Sequence, residues 1–548
     1  MADGNAKSLI ARSEKMFSTR ESVVTLWQEL ADQFYPERGQ FTVTRDSGDE
    51  FADHLFATDP VLMRRDLGNA ISAMTRPGGR QWGKPDIDDA KLREDASVRA
   101  YLDWLGETQW RAMYDPPANF VRATKEADHD LATFGNAVVS VEPNMRAGRL
   151  LYSCHHLKDC AWADNAEGRT DMMHRRITIT ARAAEQKWGR ASLHQNIQKL
   201  CEKEPEKDVE FIHVMMPAAD YDYITRAKPK IKAPFVSIYV DKANGCIVSE
   251  SPSFEFRYIV QRWTTLPNSP YAVSPATMTA LPDARMMQAL ARIIQEAGEK
   301  SVDPPMKVTE EAVRGEINLF AGGATWVDRE YDERLGPAVE PIMLGKDAGL
   351  GLNMFDRIRL GMIEAFYLNK LSMPQQAAKT AYETAQLVEE NLRASAPLFE
   401  PMEQNNAAIL DTTFEVLQRV GTFGPPDTIP EVLRGKNISF SFSNPLHDAI
   451  ERAKVLQFQG TTQLMAMGAQ FDPKIVADID MRQAFRDAAM GSGMPAKWLR
   501  KQEDADDGAE AMAKEQELAK IIGAAGAGGQ AVEAVGKGAM AVQGKRAA

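Results

Sequence analysis

The chain has 548 residues, of which 44% are hydrophobic and 26% are charged, and its 77 Asp and Glu exceed its 65 Lys and Arg to give a formal net charge of −12. This composition is typical of a multidomain globular protein and excludes a collagen-like or wholly disordered chain. The acidic balance excludes a simple nucleic-acid coat, because such proteins neutralise phosphates with a basic surface. Cys154, Cys160, Cys201 and Cys246 are too few for a disulfide scaffold and favour a reducing compartment.

The first third of the chain is predicted to be helical. Apolar residues recur at helical spacing over residues 8–35, and Pro36 ends that helix. Asp59 followed by Pro60 indicates the start of a second helix, since Asp can cap and Pro suits the first helical position. Two more helices are expected over residues 98–113 and 120–134, the last ended by a Gly-Asn pair. The N-terminus lacks a signal-peptide pattern, and no apolar run predicts a membrane helix, so we expect no membrane contact.

After residue 136 the sequence pattern changes to short segments rich in β-branched and aromatic residues, which indicates an antiparallel sheet. The predicted strands cover residues 137–142, 150–153, 176–180, 209–216, 235–241, 246–249 and 254–263.

Helical periodicity returns at Leu281 and is stopped by the prolines after Asp303. A compact insertion follows, and a second helix is expected over residues 355–368. A capping pattern of Ser372, Pro374 and Gln375 then predicts a long helix that Pro397 and Pro401 kink or interrupt before it resumes to residue 420. Residues 438–442 are predicted to form a strand, short helices follow, and the Ala/Gly-rich tail after residue 503 is expected to be mobile.

No catalytic signature is evident in the sequence. No Gly-rich loop is followed by the Lys and Ser or Thr of a nucleotide-binding motif, and no nucleophile elbow is present. Cys154, His155, His156 and Cys160 lack a second ligand pair, so we interpret them as strand and loop residues rather than a zinc site. The acidic cluster at residues 86–89 is interpreted as a solvated loop, and the pairs Arg64-Arg65 and Arg175-Arg176 as solvated faces. We therefore expect no catalytic residue, no metal and no cofactor.

The order of elements, rather than any chemistry, gives the strongest indication of function. Several stretches in collinear order carry a resemblance: residues 27–36 (WQELADQFYP), 76–82 (RPGGRQW), 119–136 (NFVRATKEADHDLATFGN), 269–281 (SPYAVSPATMTAL), 302–305 (VDPP), 380–387 (TAYETAQL) and 493–499 (GMPAKWL). With these stretches, the chain resembles the portal proteins of short-tailed bacteriophages, the head-to-tail connector family. The likeness covers residues 8–503.

The resemblance implies an α+β, mostly helical fold with wing, stem, clip and crown parts, an antiparallel β region in the wing and long kinked helices. The implied parts are the wing at 1–280, stem helices at 281–301 and 353–368 around the clip at 302–352, the tunnel loop at 369–376, the long wing helix and following strand at 377–443, the crown at 444–503 and a flexible tail at 504–548.

The resemblance also implies sites and partners. In the tunnel loop, Asn369, Lys370, Leu371, Ser372 and Met373 would lie near DNA. In the clip, Phe320 and Trp326 would anchor docking partners, unless they fill the clip's own core.

The implied function is a non-enzymatic portal ring at one capsid vertex, usually a dodecamer, through which DNA is packaged and ejected. Its implied partners are further copies of itself, double-stranded DNA passing without sequence specificity, the terminase large subunit, the major capsid and scaffold proteins, and tail or adaptor proteins. It would reside in the virion, and in the host cytoplasm during assembly. Two alternatives stay open: a scaffold or adaptor protein without a channel, and a nuclease or hydrolase of the packaging system.

Overall fold

In the computed structural model, a mainly helical first part is followed by antiparallel strands and then by further helices, as the sequence predicts. Three helices between the strands, Ala181–Trp188, Gln195–Lys203 and Ala218–Thr225, were not predicted. The described residues are 2–46, 48–78, 81–89, 92, 95–144, 149–225, 233–309, 313, 326–328, 334, 337, 339–342, 348–371, 381–425, 429–434, 438–442, 458, 460–462, 465, 467, 484–485 and 488–489. They divide into one large unit, which spans nearly all of residues 1–446, and a second that contains residues 447–548.

The α-helices of the large unit are α1 Ala2–Thr19, α2 Glu21–Phe34, α3 Asp59–Thr75, α4 Ala96–Met113, α5 Phe120–Phe134, α6 Ala181–Trp188, α7 Gln195–Lys203, α8 Ala218–Thr225, α9 Leu281–Val302, α10 Ala348–Ala365, α11 Leu368–Leu371 and α12 Ala381–Val420. Its strands are β1 Gly83–Asp86, β2 Asn136–Asn144, β3 Arg149–His155, β4 Cys160–Asp164, β5 Thr170–Thr180, β6 Asp208–Pro217, β7 Phe235–Asp241, β8 Cys246–Ser253, β9 Tyr258–Arg262, β10 Met306–Val308, β11 Val339–Pro341 and β12 Ser439–Phe442.

The strands form small antiparallel sheets. β4 to β8 make a five-stranded meander, and β2 lies between β3 and β9 in a three-stranded sheet. β1 pairs with β12, with Gly83 opposite Phe442, so residues more than 350 positions apart share a two-stranded ribbon. The predicted antiparallel region is confirmed, whereas β1, β4, β10 and β11 were not predicted because each is short and weakly patterned.

Helix α5 lies at the centre of the main core. Its apolar face includes Ala127, Leu131 and Phe134, which pack in one cluster with side chains from α2, α3 and the three-stranded sheet. Gly135 ends the helix in the left-handed region, with φ of 70°, as the Gly-Asn signal predicts. A Cβ at this position would lie 2.4 Å from the carbonyl carbon of Val273, so the backbone approach also requires glycine.

Two helix predictions are corrected. The helix expected over residues 8–35 is two helices, with a break at Arg20. The buried guanidinium of Arg20 donates to the carbonyl oxygens of Leu157, at 2.8 Å, and Lys158, and these contacts draw the residue out of the helix. Of the kink or interruption expected at Pro397 and Pro401, the interruption is wrong, since α12 runs unbroken for 40 residues. The remaining helical hydrogen bonds and the buried C-terminal half of α12 hold it together through both prolines.

Candidate functional site

Helices α9 and α10 form an antiparallel pair that projects from the main core. Their contacts run in opposite order along the two helices: a Cβ at Gly351 would lie 3.3 Å from Ile294 Cγ1, and one at Gly361 would lie 3.5 Å from an Asp283 carboxylate oxygen. The glycines of α10 therefore allow close approach of the helices. Helix α10 starts at Ala348, before the predicted start, and ends at Ala365, because Tyr367 takes a positive φ of 58°.

The base of this pair is anchored in the main core. Leu281, Met287, Met362 and Phe366 are buried there, and the ring of Phe366 meets that of Phe34 edge-on at 5.5 Å. Towards the far ends of the helices, side chains become exposed. The pair is therefore a rigid projection with a buried root and a solvated tip.

One side of the pair contacts the N-terminal third of the same chain, and we call it the docked face. Gln288 Oε1 accepts hydrogen bonds from the backbone nitrogens of Phe56, at 2.8 Å, and Ala57, at 2.9 Å, while Gln288 Nε2 donates to the Ala57 carbonyl at 2.8 Å. On α10, Arg359 pairs with Asp59 at 2.9 Å. These contacts fix the loop before α3 against the helix pair.

The opposite side exposes apolar side chains, and we call it the open face. Its residues are Met286, Ile293 and Lys300 on α9 and Leu350, Met354 and Arg357 on α10. The four apolar residues among them are 45–64% exposed. Several exposed apolar side chains on one side of a helix pair are typical of an interaction surface.

The segment between the two helices carries the predicted clip. Its described part includes the pairing of β10 with β11 and a bridge between Val313 and Val327. Trp326 is 74% exposed, so it does not fill a core of its own subunit. Phe320 lies outside the described residues.

The residues predicted for the tunnel loop begin in helical structure rather than in a loop. Asn369, Lys370 and Leu371 belong to α11, where the Lys370 nitrogen donates to the Tyr367 carbonyl at 3.0 Å. The left-handed Tyr367 turns the chain after α10 and lets this single helical turn form. The side chains of Asn369 and Lys370 are exposed, and Lys370 Nζ lies 5.5 Å from the centre of the Tyr367 ring.

Ser372 and Met373 lie outside the described residues. The expected tunnel loop at 369–376 is therefore corrected at its start, where α11 occupies the first three positions.

Buried ion pairs hold α12 and the sheet around α5. Arg76 pairs with Asp128 and also donates to Asn406 Oδ1 at 2.7 Å, and all three are under 9% exposed. Burial raises the pKa of Asp128, and the Arg76 charge opposes that rise. Sequence reasoning missed this triad, since its members are far apart in the chain and isolated charges usually indicate solvated positions.

A second buried pair lies beside it. Arg38 makes a two-pronged contact with Asp130, at 3.0 Å and 2.7 Å, and Cys154 Sγ lies 3.7 Å from the same carboxylate. Burial lowers the pKa of Arg38, but the Asp130 carboxylate outweighs burial and leaves it raised. Such pairs fix the packing of elements that meet only in the folded state.

The Cys and His residues considered as metal ligands bind neighbouring protein groups. His155 contacts Ser140 Oγ at 2.8 Å and the Arg175 guanidinium, and His156 Nε2 lies 3.1 Å from the Arg38 carbonyl oxygen. Cys160 is fully buried in β4. Among the described residues, no group of three or more His, Cys, Asp or Glu is arranged to hold a metal ion.

The basic pairs are only half solvated, which corrects their interpretation as surface faces. Arg64 is 3% exposed, donates to the Phe34 carbonyl at 3.0 Å and lies over the Tyr35 ring at 3.8 Å. Arg175 is likewise packed beside Tyr258. Adjacent helical or strand residues point to different faces, so one member of each pair is turned inward.

Within the described residues, no helix is long and apolar enough to cross a membrane.

Comparison with known proteins identifies the family. The family model described as bacteriophage head to tail connecting protein matches residues 6–499. The chain belongs to this family. It is a structural family rather than an enzymatic one, and this protein is a head-to-tail connector of the phage virion.

Two phage proteins related to the connector are named as portal proteins. It is 25% identical over 450 residues to a probable portal protein of Bordetella phage BPP-1, covering 81% of this chain and 79% of that protein. It is 21% identical over 543 residues to the portal protein of Salmonella phage epsilon15, covering 95% and 94%. A chain of the virion of a native gene transfer agent particle aligns with 9% identity and a TM-score of 0.35 over 74% of this chain and 86% of that one.

Proposed function

We propose that copies of this connector assemble into a portal ring, a dodecamer, at one vertex of the capsid. The helix pair α9 and α10 forms the stem of each subunit, the segment between them forms the clip, and the rest of the large unit forms the wing. The ring encloses the channel through which double-stranded DNA is packaged and ejected.

The observation that carries this proposal is the helix pair itself. It is rooted in the main core, carries an insertion at its tip, and leaves an apolar face uncovered in a single chain. Exposed Leu, Ile and Met side chains on a rigid element are stabilised when another subunit covers them. A repeated copy supplies that cover at every position of a closed ring.

The charge of the chain suits a conduit. Each tight phosphate contact adds to a salt-dependent grip on DNA, so a net charge of −12 favours sliding over retention. We assign the residues from Asn369 to Met373 to the part of the subunit nearest the DNA. Lys370 supplies one exposed ammonium there, a point charge suited to brief contact.

The clip is assigned as the docking surface for the terminase large subunit during packaging and for tail or adaptor proteins afterwards. Trp326 is the exposed aromatic that the structure describes there, and Phe320 is proposed to accompany it. The wing and crown are assigned to contacts with the major capsid and scaffold proteins. Assembly takes place in the host cytoplasm.

Packaging by particles that carry variant subunits tests these assignments. Trp326→Ala is expected to leave rings intact and to reduce packaging or tail attachment, because the exposed ring contributes little to subunit stability. Lys370→Ala is expected to change DNA retention at low salt by an amount that shrinks at high salt, since a phosphate contact of ~1 kcal/mol is screened. Wild-type packaging and retention in both variants would contradict the two assignments.

An enzymatic role in packaging is tested separately. The purified chain is expected to leave double-stranded DNA uncut with Mg²⁺ or Mn²⁺, whereas divalent-dependent cleavage would support the nuclease alternative.

A further inference from the structure

The two faces of the helix pair lie on opposite sides. On α9, Asp283 and Ile294 meet the glycine positions of α10, and the helical period of 3.6 puts residues 285, 288 and 292 on one flank and 286, 293 and 300 on the other. On α10, residue 359 falls on one flank and residues 350, 354 and 357 on the other. Because the helices are antiparallel, the flanks with Gln288 and Arg359 share one side and those with Met286 and Met354 share the other.

The docked face presents an acidic loop, residues 41–58, to its surroundings. Four carboxylates in it, Asp46, Asp49, Glu50 and Asp53, outnumber its single Arg or Lys residue, Arg45, which already pairs with Asp32 at 3.7 Å. The same loop exposes apolar groups between those charges, with Phe51 39% and Val43 41% exposed. Gln288 fixes the end of the loop against α9.

The open face has the complementary character. Its two charged members, Lys300 and Arg357, are both exposed cations. Glu364, two turns after Arg357 on α10, is an exposed carboxylate on the same side, so the cations of this face outnumber its carboxylates by two to one. An apolar surface with an excess of cations thus lies on one side of the hairpin, and an apolar loop with an excess of anions lies on the other.

We propose that residues 41–58 of one copy dock on the open face of the next copy's helix pair. A surface and its complement on opposite sides of one rigid element make a head-to-tail contact, which closes into a ring when the rotation between copies closes. Opposite charges at the rim set the register of the contact and disfavour face-to-face pairing of two open faces. The proposal rests on the ring put forward above and names the surfaces that make it.

Disulfide trapping in the full chain tests the contact. Asp49→Cys is combined with Met286→Cys in one variant and with Met354→Cys in another. Cysteines form a disulfide only when their Cα atoms come within about 7 Å, and on a non-reducing gel only a bond that joins two copies raises the mass of the band. Mild oxidation of the ring fraction is expected to give a ladder of covalent oligomers with at least one of the two pairs.

The single-cysteine variants and the parent chain, which keeps its four native cysteines, are the matched controls. Rings that yield no ladder with either pair, or the same ladder in the controls, would overturn this contact and leave the ring itself standing. A parent chain that forms no ring would overturn both proposals.

Charge reversal gives an independent readout. Arg357→Glu is expected to raise at least tenfold the protein concentration at which rings form, and Asp49→Lys with Glu50→Lys in the same chain is expected to recover most of that loss. Arg111→Glu reverses an arginine that is 80% exposed on α4 and is expected to have no effect. Assembly of Arg357→Glu at the parent's concentration, or no recovery by the compensating changes, would contradict the proposal.

Discussion

Individual buried charges join segments of this connector that are remote in sequence. Asp128 on α5 meets Arg76 after α3, and Arg76 also reaches Asn406 on α12. Removing one partner of a buried pair leaves the other charge without compensation, which costs far more than the pair itself contributes. The triad therefore specifies how three helices pack.

Asp128→Ala is expected to lower the free energy of unfolding of the large unit by about 3–5 kcal/mol, because the Arg76 charge stays buried. The double change Arg76→Met with Asp128→Leu is expected to be much milder, since no unpaired charge remains. Urea unfolding followed by tryptophan fluorescence measures both. Equal losses in the two proteins would show that packing, and not the uncompensated charge, sets the cost.

A buried histidine in the five-stranded sheet predicts sensitivity to acid. Burial lowers the pKa of His174 to about 3, and neither ring nitrogen has a hydrogen-bond partner among the described residues. The unfolded chain, with an ordinary histidine pKa near 6.5, binds the proton more readily. Stability is therefore full above about pH 6.5 and is lost as pH falls towards the folded pKa, by at most about 1.4 kcal/mol per pH unit for this group.

His174→Leu is expected to flatten the fall of the melting temperature between pH 7 and pH 4.5, with little change at pH 7.5. His54→Gln, at an exposed position, is the control and is expected to keep the parent's slope. A slope unchanged by His174→Leu would assign acid sensitivity to other groups, among which half-buried His155 and buried His213 also have lowered pKa values.

At the scale of elements, the signals with a local physical cause predicted the fold best. The start of α3 at Asp-Pro and the end of α5 at glycine could be predicted from the sequence, because capping and helix-breaking residues act within a few positions. The break at Arg20 was not, since it depends on carbonyl groups about 137 positions away. The β1–β12 ribbon was missed in part for the same reason, because its partners are brought together only by the tertiary fold.

The candidate site shows the same division. Periodicity and the prolines indicated two helices around an insertion, which the structure contains as α9 and α10. Which flank of each helix stays uncovered could not be predicted, because it depends on Gln288 and Arg359 binding a loop more than 200 residues earlier in the chain.

Gly135 gives a prediction at this scale. Gly135→Ala is expected to destabilise the protein by clearly more than the roughly 1–2 kcal/mol of a left-handed residue, because its Cβ would also meet the Val273 backbone at 2.4 Å. Gly168→Ala, with φ of 77° and open space around it, is the matched control for the backbone term alone. Thermal unfolding compares the two variants. Equal shifts in melting temperature would show that the Val273 backbone moves away from the new Cβ with no loss of stability.

At the scale of the whole molecule, one physical feature supports the proposed ring: α9 and α10 are anchored in the main core and leave one face uncovered. The main core is a single packed cluster that α2, α3, α5, the three-stranded sheet and the end of α12 share. In the proposed ring, we expect a helix pair anchored in this core to take the same orientation in every subunit. Closed symmetry requires such uniformity, since a head-to-tail contact that varies from copy to copy does not close.

The mass of the purified full-length particle tests the central claim most directly. Mass photometry at physiological salt, with negative-stain images of the same sample, is expected to show one dominant species near twelve times the chain mass of 60.8 kDa, about 730 kDa, as rings with a central hole. A particle that stays at the mass of one chain at every salt and protein concentration, or an open filament without a hole, would contradict the account.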